Sequence, residues 1–216
     1  MSDTAQALAQ FARDYSKACE NETGKLPQVS FDESWRSPCE TGEVSNDEKI
    51  TWQQATQSPM FDFSDIESAL ALELHQSVKE FYGTYFGASL FGVCNGQQCE
   101  LIQCWNRDDI KRLGENIIGH ILMQRKLKQS HTLFVGSLVN GEQMICVDND
   151  TGAVVLEVPG DDKREPIAPS LTEFLLALEP LALPDEELAY QAPTEIKAGL
   201  MPRLTEVMRS LLGRQK

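Results

Sequence analysis

The chain has 216 residues, 41% hydrophobic and 24% charged, which is the composition of a folded globular protein with length for one ordinary domain plus an appendage. Its 33 acidic and 19 basic side chains leave a net charge of −14, a field that repels nucleic-acid phosphates and anionic lipid headgroups and attracts basic partners. No window reaches the roughly 18 apolar residues of a membrane span, and the N-terminus has neither the basic nor the apolar stretch of a secretory signal, so the expected compartment is the cytoplasm.

In chain order, Leu8, Phe11, Ala12, Tyr15 and Cys19 recur at three- and four-residue steps and predict a helix over 3–20. Residues 21–48, with Gly24, Pro27, Pro38, Gly42 and many acids, read as one long loop. Residues 49–53 read as a short strand with Ile50 and Trp52 on one face. Ser64-Asp65-Ile66-Glu67 fits a capping box that opens a second helix, whose stripe of Ile66, Leu70, Leu74, Val78 and Phe81 ends at Gly83.

The period then shortens toward two. Residues 85–93 and 98–105 flank Asn95-Gly96, a hairpin signal because both turn residues tolerate positive φ. Asn106 is placed to cap a third helix reaching Lys126, with Asp108 and Asp109 in its favourable first turn. Residues 132–139, 142–148 and 153–158, joined by Asn140-Gly141 and a turn at 149–152, predict an antiparallel meander. A charged loop follows over 159–169, then a short helix opened by Ser170-Leu171-Thr172-Glu173 and ended at Pro180.

Helices with two hairpins and no βαβ alternation predict an α+β fold, an antiparallel β-sheet packed with helices. Residues 1–183 form the expected domain. Residues 184–216 read as an acidic linker and a C-terminal amphipathic helix, with Pro202 placed to kink it.

Motifs for chemistry are absent. There is no GxxxxGK[ST], GxGxxG or HExxH. Cys94, Cys99 and Cys104 are spaced by five, unlike the close pairs of a structural zinc site, and the six cysteines read as reduced packing residues. His120 is expected to be a hydrogen-bonded structural histidine with Asn116 one turn away. Asp108 and Asp109 diverge by about 100° on a helix, which suits capping and not paired carboxylate catalysis. No metal, cofactor or catalytic set is expected.

One run is distinctive: Trp105-Asn106-Arg107-Asp108-Asp109-Ile110-Lys111-Arg112-Leu113-Gly114-Glu115-Asn116-Ile117-Ile118-Gly119-His120, followed by Leu127-Lys128 and Thr132-Leu133-Phe134. This resembles the Syd family, and Ser37-Pro38-Cys39, Thr51-Trp52-Gln53 and Phe81-Tyr82-Gly83-Thr84 are similar to the family's surroundings. The resemblance covers about residues 1–181, and 184–216 read as an extension to the family's usual length. It implies a SUKH-like α+β fold and a bacterial cytoplasmic protein held peripherally at the inner membrane through SecY, the channel subunit of the protein translocase. It also implies an acidic concave groove and a role in recognising surplus or uncomplexed SecY and restraining it. The charge fits such a partner independently, because cytoplasmic loops of membrane proteins are enriched in Lys and Arg. The residues expected to line the groove are Glu40, Glu43, Asp108, Asp109 and Glu115, on a monomer with no direct membrane insertion. The competing reading is an immunity-like protein that neutralises a basic toxin with the same fold and charge.

Overall fold

The computed structural model describes residues 3–139 and 141–182. Within them the chain runs α1 (Asp3–Thr23), β1 (Gln28–Ser30), β2 (Glu40–Thr41), β3 (Lys49–Trp52), β4 (Ala55–Thr56), α2 (Ser64–Leu70), α3 (Gln76–Gly83) and β5 (Tyr85–Phe86). It continues through β6 (Leu90–Cys94), β7 (Gln97–Leu101), α4 (Arg107–Leu127), β8 (Thr132–Leu138), β9 (Met144–Asp148), β10 (Val154–Glu157), β11 (Arg164–Ala168), α5 (Leu171–Ala177) and β12 (Glu179–Pro180).

Seven strands form one antiparallel sheet in the order β11-β10-β9-β8-β7-β6-β12. A small sheet, β1-β3-β2, and a ribbon, β4-β5, stand beside it. The fold is the expected α+β arrangement of helices on an antiparallel sheet. The α1 stripe of Leu8, Phe11, Ala12, Tyr15 and Cys19 is buried, and the helix packs on α3, α5, β6 and β12. The unbroken apolar run Met144-Ile145-Cys146-Val147 is buried along its whole length, the pattern of a strand covered on both faces. No helix of the described residues is long and apolar enough to cross a membrane.

The turn chemistry acts where the residues require it. Asn95 and Gly96 both take positive φ (50° and 76°) and join β6 to β7 in register. Asn106 accepts from the Asp108 and Asp109 backbone N–H groups at 3.0 and 3.1 Å and caps α4. Ser170 accepts from the Glu173 N–H and caps α5.

Several elements differ from the sequence expectation: β4 and β12 are unexpected, and the strand expected over 85–93 is divided into β5 and β6. The loop over 21–48 contains β1 and β2, which pair on either side of β3. Such strands are too short for alternation to be visible. The helix expected from Ser64 to Gly83 is two helices. It breaks at Ala71, which takes φ 45°, and His75 caps the second half by accepting from the Ser77 N–H. The stripe survives the break because Leu74 and Val78 stay buried. Ser64 does not cap either: it bonds Asp62, while Glu67 accepts from the Leu74 N–H and from Lys79 Nζ. The charged loop after Gly160 contains β11, an edge strand that includes Pro166. Residues 184–216, with their expected linker and helix, and Asn140 of the second hairpin lie outside the described residues.

One close approach fixes the middle of the sheet. The β8–β9 register shifts between Phe134 and Gly136, and a Cβ on Gly136 would run into the Glu100 carbonyl oxygen of β7. Because the obstacle is backbone, Gly136→Ala is expected to lower stability by about 2–4 kcal/mol, read as a shifted urea midpoint with an unchanged slope.

Candidate functional site

The loop 31–39, the segment 87–89 and the start of α4 enclose a hollow of about 270 Å³. Its lining includes Asp32, Trp35, Glu40, Ser89, Gln103, Trp105 and Asp109. The turn from β7 into α4 organises it. Trp105 Nε1 donates to the Trp35 carbonyl at 3.0 Å, Asn106 Nδ2 donates to the Arg36 carbonyl at 3.0 Å, and Ser37 Oγ donates to the Trp105 carbonyl at 2.5 Å. The Arg112 guanidinium lies over the Trp35 ring, 4.1 Å from its centroid. The Trp105 ring meets Trp52 edge to face, and Trp52 meets Tyr15 of α1, which ties the rim to the core. One helix turn thus holds a long loop in place through side chains 70 positions apart.

The five acidic residues expected from sequence separate into two groups. Glu40 and Asp109 line the hollow. Glu40 accepts from the Ser37 N–H and from Arg36 Nε, and only 6% of its side chain is exposed. Asp109 accepts from the Trp105 N–H at 3.0 Å through Oδ2, and its other oxygen lies 3.8 Å from Arg112 Nη1. Burial raises the Asp109 carboxyl above the usual carboxylate range. Asp108 points outward and pairs with Lys111 at 2.7 Å, which lowers its carboxyl. Glu43 and Glu115 are exposed and are not among the lining residues. Asp108 diverges from Asp109 for the reason visible in sequence, the 100° step of the helix.

The sequence reading missed Asp32, Gln103 and Ser89. Asp32 carries a local signal, the Asp32-Glu33-Ser34 turn, in which its carboxylate accepts from the Ser34 N–H and Oγ. Gln103 and Ser89 carry none. Behind Ser89 lies Glu100, which accepts from Ser89 Oγ at 2.6 Å and whose carboxyl is raised by burial.

A second polar cluster sits inside the molecule. Gln124 Nε2 donates to Thr132 Oγ1 at 2.6 Å and to His120 Nε2 at 2.9 Å. Thr132 Oγ1 donates to Glu157 Oε1 at 2.9 Å, and Glu157 Oε2 pairs with Arg164 Nε at 2.9 Å across the β10–β11 ladder. The ring nitrogen that accepts from Gln124 carries no proton, so the proton of the neutral ring is on Nδ1. His120 is the structural histidine expected, although its partners are Gln124 and Thr132 and not Asn116, which bonds the Arg112 carbonyl. His120, Cys146 and Glu157 are the one group among the described residues with metal-ligand geometry. The His120 and Glu157 donor atoms are already held by Gln124, Thr132 and Arg164, and the guanidinium supplies the positive charge a cation would bring. The arrangement fits an interior hydrogen-bond and ion-pair network better than an ion site, with the His120 Nδ1 proton left without an acceptor.

All six cysteines are free and buried, and burial pushes the Cys99 thiol up to about 12 and raises Cys104 and Cys146 as well, the opposite of an activated nucleophile.

Two outcomes follow from these contacts. Burial holds the His120 value down to about 4, below its ordinary 6.5 or so, so the unfolded chain takes the proton first. Stability is therefore expected to fall as the pH drops from about 6.5 toward 4, with a slope of up to ~1.4 kcal/mol per pH unit from this group; His120→Gln should flatten that part of a denaturation-versus-pH curve. Trp105→Phe keeps a ring but removes the donor to Trp35. It is expected to cost about 1 kcal/mol and to speed hydrogen–deuterium exchange in 32–39 selectively.

With the geometry in hand, comparison with known proteins gives a consistent answer. The family model described as "Syd protein (SUKH-2)" matches residues 5–180. "Protein Syd" of Shewanella frigidimarina is 35% identical over 214 residues, 98% of this chain and 99% of that one. "Protein Syd" of Shewanella denitrificans is 35% identical over 215 residues, 98% of each chain, and that of Shewanella loihica is 34% identical over 216 residues. These alignments run past the end of the family model and take in most of the segment after residue 183. A match to the family model over residues 5–180, which span nearly all of the helices and sheet among the described residues, joined to relatives matched over almost their full length, places this chain in the Syd protein (SUKH-2) family.

Proposed function

We propose that the chain is a cytoplasmic protein that binds SecY, the channel subunit of the translocase, through its acidic hollow and monitors or restrains SecY that is surplus or uncomplexed. It is not an enzyme in this reading, and it reaches the cytoplasmic side of the inner membrane through its partner. Family membership supports the partner, and the single observation that carries the mode of binding is the hollow in which Asp32, Glu40 and Asp109 converge. Basic loops on the cytoplasmic side of a membrane protein are the complementary surface. The summed charge of −14 steers the encounter, and a small desolvated cluster supplies the affinity. Glu43, Asp108 and Glu115, outside the hollow, then contribute through the field around it.

The reading makes a graded prediction. Detergent-solubilised membranes containing SecY should be captured by the immobilised chain at low salt and released at high salt. Asp32→Lys, at the hollow, should slow association at low salt by about five- to tenfold, and Glu115→Lys, outside it, by about twofold. Capture that ignores both salt and Asp32→Lys would remove the hollow from the mechanism.

A further inference from the structure

Strand β12 aims the chain at the hollow. Pro180 pairs with Gly92 in antiparallel register, and the Leu181 N–H donates to the Phe91 carbonyl at 3.0 Å, so successive residues run back along β6 toward Leu90 and Ser89. Ser89 lines the hollow together with Val29, Ala88 and Trp105. Those three apolar residues are only half-buried and stand at the margin of the core. The hollow therefore has an apolar floor, and the segment 31–48 around it carries six acidic side chains and one basic. An apolar floor within an acidic surround is the complement of a basic amphipathic segment.

Such a segment follows in the same chain. After Pro202, a residue suited to a first helical turn, Leu204, Val207, Met208 and Leu211 fall at i, i+3, i+4 and i+7, the spacing of one helical stripe. Residues 191–216 hold five bases and two acids, opposite in sign to 31–48. Reach is no obstacle. The 21 residues between Ala182 and Leu204 bridge on the order of 25 Å even as a random coil, from a point of departure already directed at Ser89. A tethered segment acts at an effective concentration of roughly millimolar, so a weak contact suffices.

We propose that the chain's own residues 202–212 dock on this hollow, with their apolar stripe on Val29, Ala88 and Trp105 and their arginines toward the acids of 31–48, and that SecY displaces them. The docking stands on the register of β12, the apolar floor and the opposed charges. The displacement rests on the reading given under the proposed function. A partner that meets a tethered competitor sees only the open fraction of hollows, and its apparent affinity falls by that fraction.

The test uses the full-length chain and two double variants, Leu204→Ser/Leu211→Ser, which removes the stripe at constant charge, and Arg203→Gln/Arg209→Gln, which removes charge and keeps the stripe. Hydrogen–deuterium exchange is followed in 32–39, with β8 and β9 as the control for an intact fold. Each variant is expected to speed exchange in 32–39 by about fivefold and to leave β8 and β9 unchanged. A synthetic peptide of residues 200–216 added to the Leu204→Ser/Leu211→Ser chain should restore the protection. Unchanged exchange in both variants overturns the docking. Protection that rises with protein concentration places the segment on a second copy and overturns it equally. Capture of SecY membranes then separates the two readings. The Leu204→Ser/Leu211→Ser chain, with its charge intact, should associate about threefold faster. If exchange responds and capture does not, the docking stands and the hollow is not where SecY binds. If exchange is unchanged while capture still depends on salt and on Asp32, the docking fails and the partner reading stands.

Discussion

Trp105 is committed at both ends. Its backbone N–H is held by Asp109 one turn into α4, its carbonyl by Ser37, and its indole N–H by the Trp35 carbonyl. These contacts convert the loop 31–39, which has no helix of its own and strands only at its margins, into a fixed wall. The acidic hollow exists because that wall stands opposite Gln103 and Ser89. Asp109 therefore has two consequences from one position: it holds the turn and it faces the hollow. Partial burial, which raises its carboxyl, is the cost of that double placement.

The far end of α4 shows the same economy without any opening to solvent. His120 and Gln124, one turn apart, reach Thr132 on β8 and through it Glu157 on β10, whose carboxylate meets Arg164 on the edge strand. A buried Glu–Arg pair is poor evidence for stability taken alone, because desolvation offsets most of the attraction. Here each member also has a defined neighbour, so the network specifies which strand lies where. The two ends of one helix thus divide the labour. The N-terminal turn shapes a surface, and the C-terminal half locks the sheet.

In the proposed reading, acidity acts in two ways that differ in range. The net charge of −14 acts over a Debye length and does not depend on any one residue. The hollow acts at contact, and there most carboxylate oxygens are already held by the protein's own N–H groups and guanidiniums.

Much of this was legible in sequence. The stripe of α1, the Asn95-Gly96 turn, the Asn106 cap with Asp108 and Asp109 behind it, and the apolar run of β9 each follow from spacing within about ten residues, where periodicity and turn chemistry operate. The break at Ala71 did not show, because Leu74 and Val78 continue the stripe of Ile66 and Leu70 across it. Strands β1, β2 and β11 did not show, because their pairing partners and not their own composition make them strands. The hollow follows the same division: the divergence of Asp108 from Asp109 is a property of any helix, and the charge of −14 is a property of composition. That Asp32, Glu40, Gln103 and Asp109 share one cavity was decided by tertiary structure alone, because it depends on Trp105 and Arg112 drawing in a loop some 70 residues distant, and no local pattern encodes a contact of that range.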